Sequence, residues 1–277
     1  MRRSFNIFTN NFIGFFRLFV YANFWVAGAV YALTKITENT LHTTKPSLAV
    51  LNASGTLVVY GFARYFEGPS LARGKSKISA WRTQMPNLTK LCIVGGAAFA
   101  GLEFFRIGSQ SLFLNYLFGS SIALLYPLPW VLKKKGGGLR SVPGLKLFII
   151  SFVWAYITAY LPAIWNGDNG LWSFIERLFW TMALTIPFDV RDVKLDSHSI
   201  KTLPHVIGTR NSIYIAHLAL WISFSLQVII FEMPLKPTFI LYLIFATIII
   251  IARTERGDLY YSFLIEGLPW LLFALIA

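Results

Sequence analysis

The chain is short of charge, of acids in particular and of cysteine, and each shortage excludes something. Only 13% of its 277 residues are Asp, Glu, Lys or Arg, against about 25% in an ordinary soluble domain. With 56% hydrophobic residues and a mean hydropathy of +0.59, that shortage excludes a typical soluble fold and points to a polytopic membrane protein. The one cysteine, Cys92, excludes an internal disulfide and any cysteine-rich metal site. Acids number 12 against 25 bases, a formal net charge of +13. On a soluble protein that excess would suggest nucleic acid. On this apolar background it reads as a basic cytoplasmic face, and no nucleic-acid partner is expected. No G-x-x-x-x-G-K-[ST], H-E-x-x-H or G-x-S-x-G run occurs. Nor does the N-terminal segment carry a small-residue cleavage site, so the first apolar run is expected to act as an uncleaved targeting signal.

What is abundant is apolar run length. Windows long enough to cross the hydrocarbon core fall near 14–34, 47–66, 88–105, 109–132, 146–165, 171–189, 212–231, 235–252 and 259–277. The expectation is an all-α integral membrane protein of about nine transmembrane helices, a single membrane domain over 1–277. Basic residues gather in alternate loops: Arg73, Lys75, Lys77 and Arg82, then Lys133 to Lys135, Arg140 and Lys146, then Arg191, Lys194, Lys201 and Arg210. That bias predicts a cytoplasmic N-terminus and an outside C-terminus, and the expected location is the plasma (inner) membrane. Two cytoplasmic loops, about 67–87 and 190–211, are long enough to be read as functional.

The second long loop begins in the densest cluster of charge, Pro187-Phe-Asp-Val-Arg-Asp-Val-Lys-Leu-Asp196. Asp189, Asp192 and Asp196 are three and four apart, which puts them on one face of a helix. Magnesium takes hard oxygen ligands and commonly binds through a few carboxylates together with phosphates. The plainer reading is a solvated helix end whose acids pair with Arg191 and Lys194. Other ionisable residues fall inside expected spans: Arg17, Glu103, Glu176, Arg177, His217 and Glu266. Glu176 and Arg177 read as an interhelix pair or as snorkelling side chains, and His217 as a hydrogen-bonded interhelical residue. Glu266 sits in the last span without a nameable partner.

The run Leu-Thr-Ile-Pro-Phe-Asp-Val-Arg-Asp-Val-Lys-Leu-Asp, with Lys201-Thr-Leu-Pro204 and Gly208 after it, resembles the second aspartate-rich motif of the UbiA superfamily of membrane prenyltransferases. Leu125-Tyr-Pro-Leu-Pro129, followed by a basic stretch with Gly138-Leu-Arg140 and Lys146, is similar to that family's fourth-to-fifth helix region. The resemblance implies a helical bundle around a central cavity, two aspartate-rich loops holding Mg2+, and an isoprenoid diphosphate that ionises and is transferred to a lipid or aromatic acceptor. It assigns Asp189, Asp192 and Asp196 to catalysis and metal binding. Diphosphate or substrate contacts fall to Arg140, Lys146, Arg191, Lys201 and Arg210, and Tyr126 is either a cavity residue or an interfacial tyrosine. The abundant aromatics, 17% of the chain, offer faces for an isoprenoid tunnel and a carbocation. The acidic cluster is not preceded by the D-G-x-x-A-R run expected of CDP-alcohol phosphotransferases.

The first family motif, Asn-x-x-x-Asp-x-x-x-Asp, departs from the pattern. Here Asn52 is followed by Thr56 and Tyr60 where the acids belong, and Arg64 continues the rhythm. Asn52, Tyr60 and Arg64 therefore stand as substrate-binding candidates, with arginine suited to bidentate phosphate contacts, while two carboxylate ligands are missing. That loss supports an alternative: a non-catalytic isoprenoid- or lipid-binding membrane protein, or a relative of the terpene-cyclase type.

Overall fold

The computed structural model describes residues 18–66, 86–126, 144–193, 202–253 and 256–276; the side chains of 64–66 and 276 are not described. No strand occurs among the described residues. The helices are α1 (Phe24–Thr40), α2 (Ala49–Phe66), α3 (Pro86–Ile107), α4 (Gln110–Leu125), α5 (Leu145–Asn166), α6 (Leu171–Asp192), α7 (Thr209–Ile229), α8 (Leu235–Ile251) and α9 (Leu268–Ile276). A π-helical turn, Tyr260–Ile265, leads into α9, and a five-residue helix, Leu203–Ile207, precedes α7. They fall in the regions where hydropathy placed spans. Among the described residues three, α3, α5 and α7, are long and apolar enough to cross a membrane, and shorter apolar helices occur in α2, α4, α8 and around α9.

α6 is the axis of the bundle, packed between α5 and α7. Trp180, Ala183 and Ile186 are fully buried along it, each from a different turn. α3 is the opposite case. Only 11% of its apolar window is buried, and Leu91, Val94, Phe99, Leu102 and Phe105 face outward. In water such a face would be costly at about 25 cal/mol per Å2; against lipid tails it costs nothing. The short Arg106-to-Ser109 connection still separates two helices. Gly108 takes φ +64, a left-handed conformation natural to glycine, and the Ser109 side chain caps α4 by accepting from the Leu112 N–H.

The first helix differs from expectation. The chain is helical from Leu18 to Tyr21, breaks at Asn23 (φ 70), and then runs to Thr40 rather than stopping near 34. Polar Thr34, Thr37 and Glu38 look like an exit from the membrane, but all three are buried with partners. Thr37 donates to the Thr158 carbonyl at 2.8 Å, and the Glu38 carboxylate accepts from Lys35 Nζ (2.8 Å), the Ser47 hydroxyl (2.8 Å) and the Leu48 N–H (2.7 Å). Satisfied polar groups can stay inside, so hydropathy ended the span too early.

Glu176 and Arg177 are each 2% exposed, which rules out snorkelling and leaves the interhelix role. Arg177 donates to the Leu33 carbonyl (2.9 Å) and to Thr158 Oγ1 (3.3 Å), and it pairs with Glu176 at 3.5 Å. Glu176 in turn accepts from Ser223, whose oxygen lies 2.9 Å from the Tyr242 hydroxyl. One ionic cluster thus ties α1, α5, α6, α7 and α8 together. His217 differs from its expected role, because its Nε2 has no hydrogen-bond partner among the described residues.

Candidate functional site

A cavity of about 620 Å3 lies between α2, α3, α4, α5, α6 and the turn leading into α9. Its lining is unequal along its length. At the end where α5 begins and α6 finishes stand Lys146, Arg191 and Asp192, with Glu266 nearby; the rest is mostly aliphatic and aromatic. This size and this mix of apolar wall with a few convergent polar groups suit a single organic ligand.

α6 builds the charged end. Running to Asp192, it puts Asp189 and Asp192 on one face. The two do not have the same surroundings. Asp189 is 1% exposed and does not line the cavity; its Oδ1 receives Lys146 Nζ at 2.6 Å. Asp192 lines the cavity, accepts from Arg191 Nε at 2.8 Å and has its other oxygen 3.5 Å from Lys146 Nζ. An ionised carboxylate as deeply buried as Asp189 needs an ion partner, and Lys146, reaching in from the first turn of α5, supplies it. The two acids therefore differ in their surroundings: Asp192 lines the cavity, and Asp189 is buried against Lys146.

Arg191 sits in the field of Asp192, Asp258 and Glu266. Its guanidinium also lies over the rings of Phe188 (5.2 Å) and Tyr261 (5.3 Å). Two aromatic faces and a carboxylate orient the cation on the cavity wall. Glu266 gains in this arrangement the surroundings that the sequence could not supply. An acid in an apolar span was the available signal, but nothing in the sequence pairs 266 with 191.

The α2 face behaves partly as expected. Asn52, Thr56 and Tyr60 all line the same cavity as Asp192, and so does Tyr126. Asn52, however, is at the far end. Its amide donates to the Ile157 carbonyl (2.6 Å) and to Thr34 Oγ1 (3.0 Å), while its Oδ1 accepts from the Tyr116 hydroxyl (2.6 Å). The Ile157 carbonyl is offered by the π-helical turn Tyr156–Tyr160 within α5, where the regular hydrogen-bond ladder is interrupted. The eleven residue steps of α5 from Lys146 to Ile157 correspond to about 16 Å. Asn52 is therefore part of the cavity floor and not a neighbour of the charged end. Its replacement by Ala takes the acceptor from the buried Tyr116 hydroxyl and a donor from the Ile157 carbonyl, and is expected to cost about 2–3 kcal/mol, read as a lowered unfolding temperature, with anion binding at the charged end retained.

Among the described residues no group of three or more His, Cys, Asp or Glu is arranged to hold a metal. The donor set still fits one Mg2+. Asp192 faces the cavity, and Mg2+ in phosphate sites commonly takes one or two carboxylates with phosphate oxygens and water. Thr56 and Tyr60 give no second carboxylate site on α2. Asp196, Arg140 and Lys201, together with the Lys133 to Lys135 run and the loop from 67 to 85, lie outside the described residues, as does the Arg64 side chain.

No known family model matches the chain, and no curated protein matches it in sequence. Solved structures do match in fold. The apo structure of a UbiA homologue from Aeropyrum pernix K1 superposes with a TM-score of 0.63 at 11% identity, covering 91% of this chain and 96% of that one. A UbiA homologue from Archaeoglobus fulgidus bound to DMAPP and Mg2+ gives 0.62 at 14% identity over 94% and 97%. A UbiA homologue from Archaeoglobus fulgidus bound to GPP and Mg2+ gives 0.62 at 12% identity over 94% and 98%. The chain has the fold of these UbiA homologues, and the likeness runs through nearly the whole of both chains.

Proposed function

We propose that this is a membrane enzyme that ionises an isoprenoid diphosphate and transfers the prenyl group to an acceptor, with the diphosphate at the Lys146, Arg191 and Asp192 end of the cavity. One observation carries the reading: a single cavity joins an end bearing Lys146, Arg191 and Asp192 to an apolar, aromatic-lined length. A molecule with a highly charged head and a hydrocarbon tail matches both parts. The two A. fulgidus structures of the same fold hold such molecules with Mg2+.

Here the ion would be held by Asp192, with Asp196 from the following segment, and would supply charge neutralisation to the departing diphosphate. The chain's own groups do the rest. Arg191, always cationic, orients the diphosphate oxygens and stabilises the negative charge that grows on them as the allylic C–O bond breaks. Lys146, fixed by Asp189, adds positive charge at the same end. Lys201 and Arg140, as the family resemblance implies, and Arg64 remain further candidates for diphosphate contact. The bond's electron pair leaves with the diphosphate, and the allylic carbon becomes cationic. The faces of Tyr60, Tyr126, Trp154 and Phe188 on the wall shelter that cation until a nucleophilic carbon or oxygen of a lipid or aromatic acceptor closes the new bond. The run of basic residues in the sequence near Lys146 and Arg191 supports a cytoplasmic position for this end of the cavity.

The second reading, a binding protein without turnover, is favoured by one observation: α2 presents Thr56 and Tyr60 to the cavity where acids would hold further metal. Purified protein incubated with labelled prenyl diphosphates, Mg2+ and a mixed acceptor extract separates the two. Pyrophosphate release is expected. Tight prenyl diphosphate binding with no release across donors would decide for the binding protein.

A further inference from the structure

We infer that a single water molecule is a built-in part of the bundle, held where the Glu176–Arg177 pair meets α1 and α7, and that it binds the one guanidinium N–H the protein itself leaves unbonded. The site is a second pocket, remote from the cavity described above, and does not rest on the proposed reaction. Three observations carry it.

The first is the leftover donor. Arg177 is 2% exposed. Its Nη1 donates to the Leu33 carbonyl and to Thr158 Oγ1, and its Nη2 donates to Thr37 Oγ1 at 3.4 Å. Nε has no hydrogen-bond partner among the described residues: Glu176 Oε2 stands 3.5 Å away, close enough for an ion pair but not aligned for a hydrogen bond. A buried charged group with an unbonded N–H carries a desolvation penalty that native folds nearly always relieve with a protein group or a water.

The second is the pocket. Glu176 and Arg177 line a space of about 10 Å3 together with Ser173 and Gln227. That volume admits the centre of roughly one water; a phosphate or an organic ligand does not fit. None of these residues lines the large cavity. The fifteen residue steps of α6 from Arg177 to Asp192 put about 22 Å between the two sites. Leu41, just past the end of α1, and Phe231, just past the end of α7, also line the pocket. It therefore lies at the level where these helices end, and a water reaches it without crossing the apolar core.

The third is the company. Ser173 and Gln227 are 8% and 4% exposed, and neither side chain makes a hydrogen bond to a described residue. An amide buried without a partner is a net cost to the fold. A water between them accepts from Arg177 Nε and bonds to the Ser173 hydroxyl and the Gln227 amide. Three partners is the usual number for a buried water.

An experimental structure of the full chain, at a resolution that shows ordered waters, is expected to place one within hydrogen-bonding distance of Arg177 Nε, Ser173 Oγ and the Gln227 amide. Unfolding temperatures in detergent give an independent reading. If the pocket holds no water, Gln227→Met replaces an unbonded amide with an apolar side chain of similar length, and the unfolding temperature stays or rises. With the water, the same change removes one of its anchors, and the temperature is expected to fall by at least about 3 °C. Ser173→Ala is expected to lower it likewise, and the double variant to fall by less than the sum, because both changes loosen the same molecule. Exchanging chloride for gluconate should leave the wild type unmoved. A pocket without density, with Arg177 Nε turned onto Glu176, overturns the inference even if neither variant folds. So does an unchanged or raised unfolding temperature in Gln227→Met, or strictly additive losses in the double variant. Stabilisation of the wild type by chloride would put an anion in the water's place and overturn it too.

Discussion

Asp192→Ala is expected to lower pyrophosphate release by at least about a hundredfold, the scale on which single preorganised electrostatic groups act in enzymes. Of the two acids described in the cluster it is the one on the cavity wall, with its oxygens 2.8 Å from Arg191 and 3.5 Å from Lys146. Its loss removes the proposed Mg2+ ligand and also the carboxylate 2.8 Å from Arg191. Asp192→Asn keeps the shape and an acceptor for Arg191 but removes the carboxylate's negative charge, so it should retain folding and lose most turnover. The two defects separate by titration: added Mg2+ is expected to recover part of the activity of Asp192→Asn and none of Asp192→Ala. Turnover within about threefold of wild type in both variants, against the hundredfold expected, would remove Asp192 from the reaction.

Lys146→Met is expected to destabilise the protein by about 3–5 kcal/mol, because it removes the 2.6 Å cation from the buried carboxylate of Asp189, 1% exposed. At about 2–4 °C per kcal/mol for a chain of this size, the unfolding temperature in detergent should fall by roughly ten degrees. Adding Asp189→Leu to Lys146→Met should restore much of that loss, since two apolar residues of similar volume commonly replace a buried pair at little cost. The double-mutant cycle is the informative quantity, because the single changes also disturb Asp192 at 3.5 Å. The double variant is expected to fold and yet to bind pyrophosphate weakly, which separates the scaffold role of the pair from its contribution of charge to the cavity. A restored melting temperature with unchanged pyrophosphate affinity would show that Lys146 is only structural.

The helices were legible because membrane spans are written in runs of apolar residues, and the acidic cluster because charge stands out in such a chain. The distinction between Asp189 and Asp192 was not. Both are ionisable, three apart and on one face, and only the approach of Lys146 from another helix decides which one is consumed in a buried pair. Asn52 misled for a related reason. Its four-residue rhythm with Thr56 and Tyr60 fixes a shared face but not a depth, and depth follows from the π-helical turn in α5 that offers the Ile157 carbonyl. Glu266 was visible as an anomaly but had no partner until the turn Tyr260–Ile265 was brought against α6 and set it near Arg191. The end of α1 was misplaced because hydropathy counts Thr37 and Glu38 as polar whether or not the bundle satisfies them.

The most direct measurement is an experimental structure of the protein with a prenyl thiodiphosphate, which resists ionisation, and Mg2+. The account predicts the diphosphate within hydrogen-bonding distance of Arg191 and Lys146, a metal on Asp192, and the tail running past Thr56 towards Asn52 and Tyr116. A diphosphate found elsewhere in the molecule, or a tail lying in the charged end with the headgroup at Asn52, would contradict it.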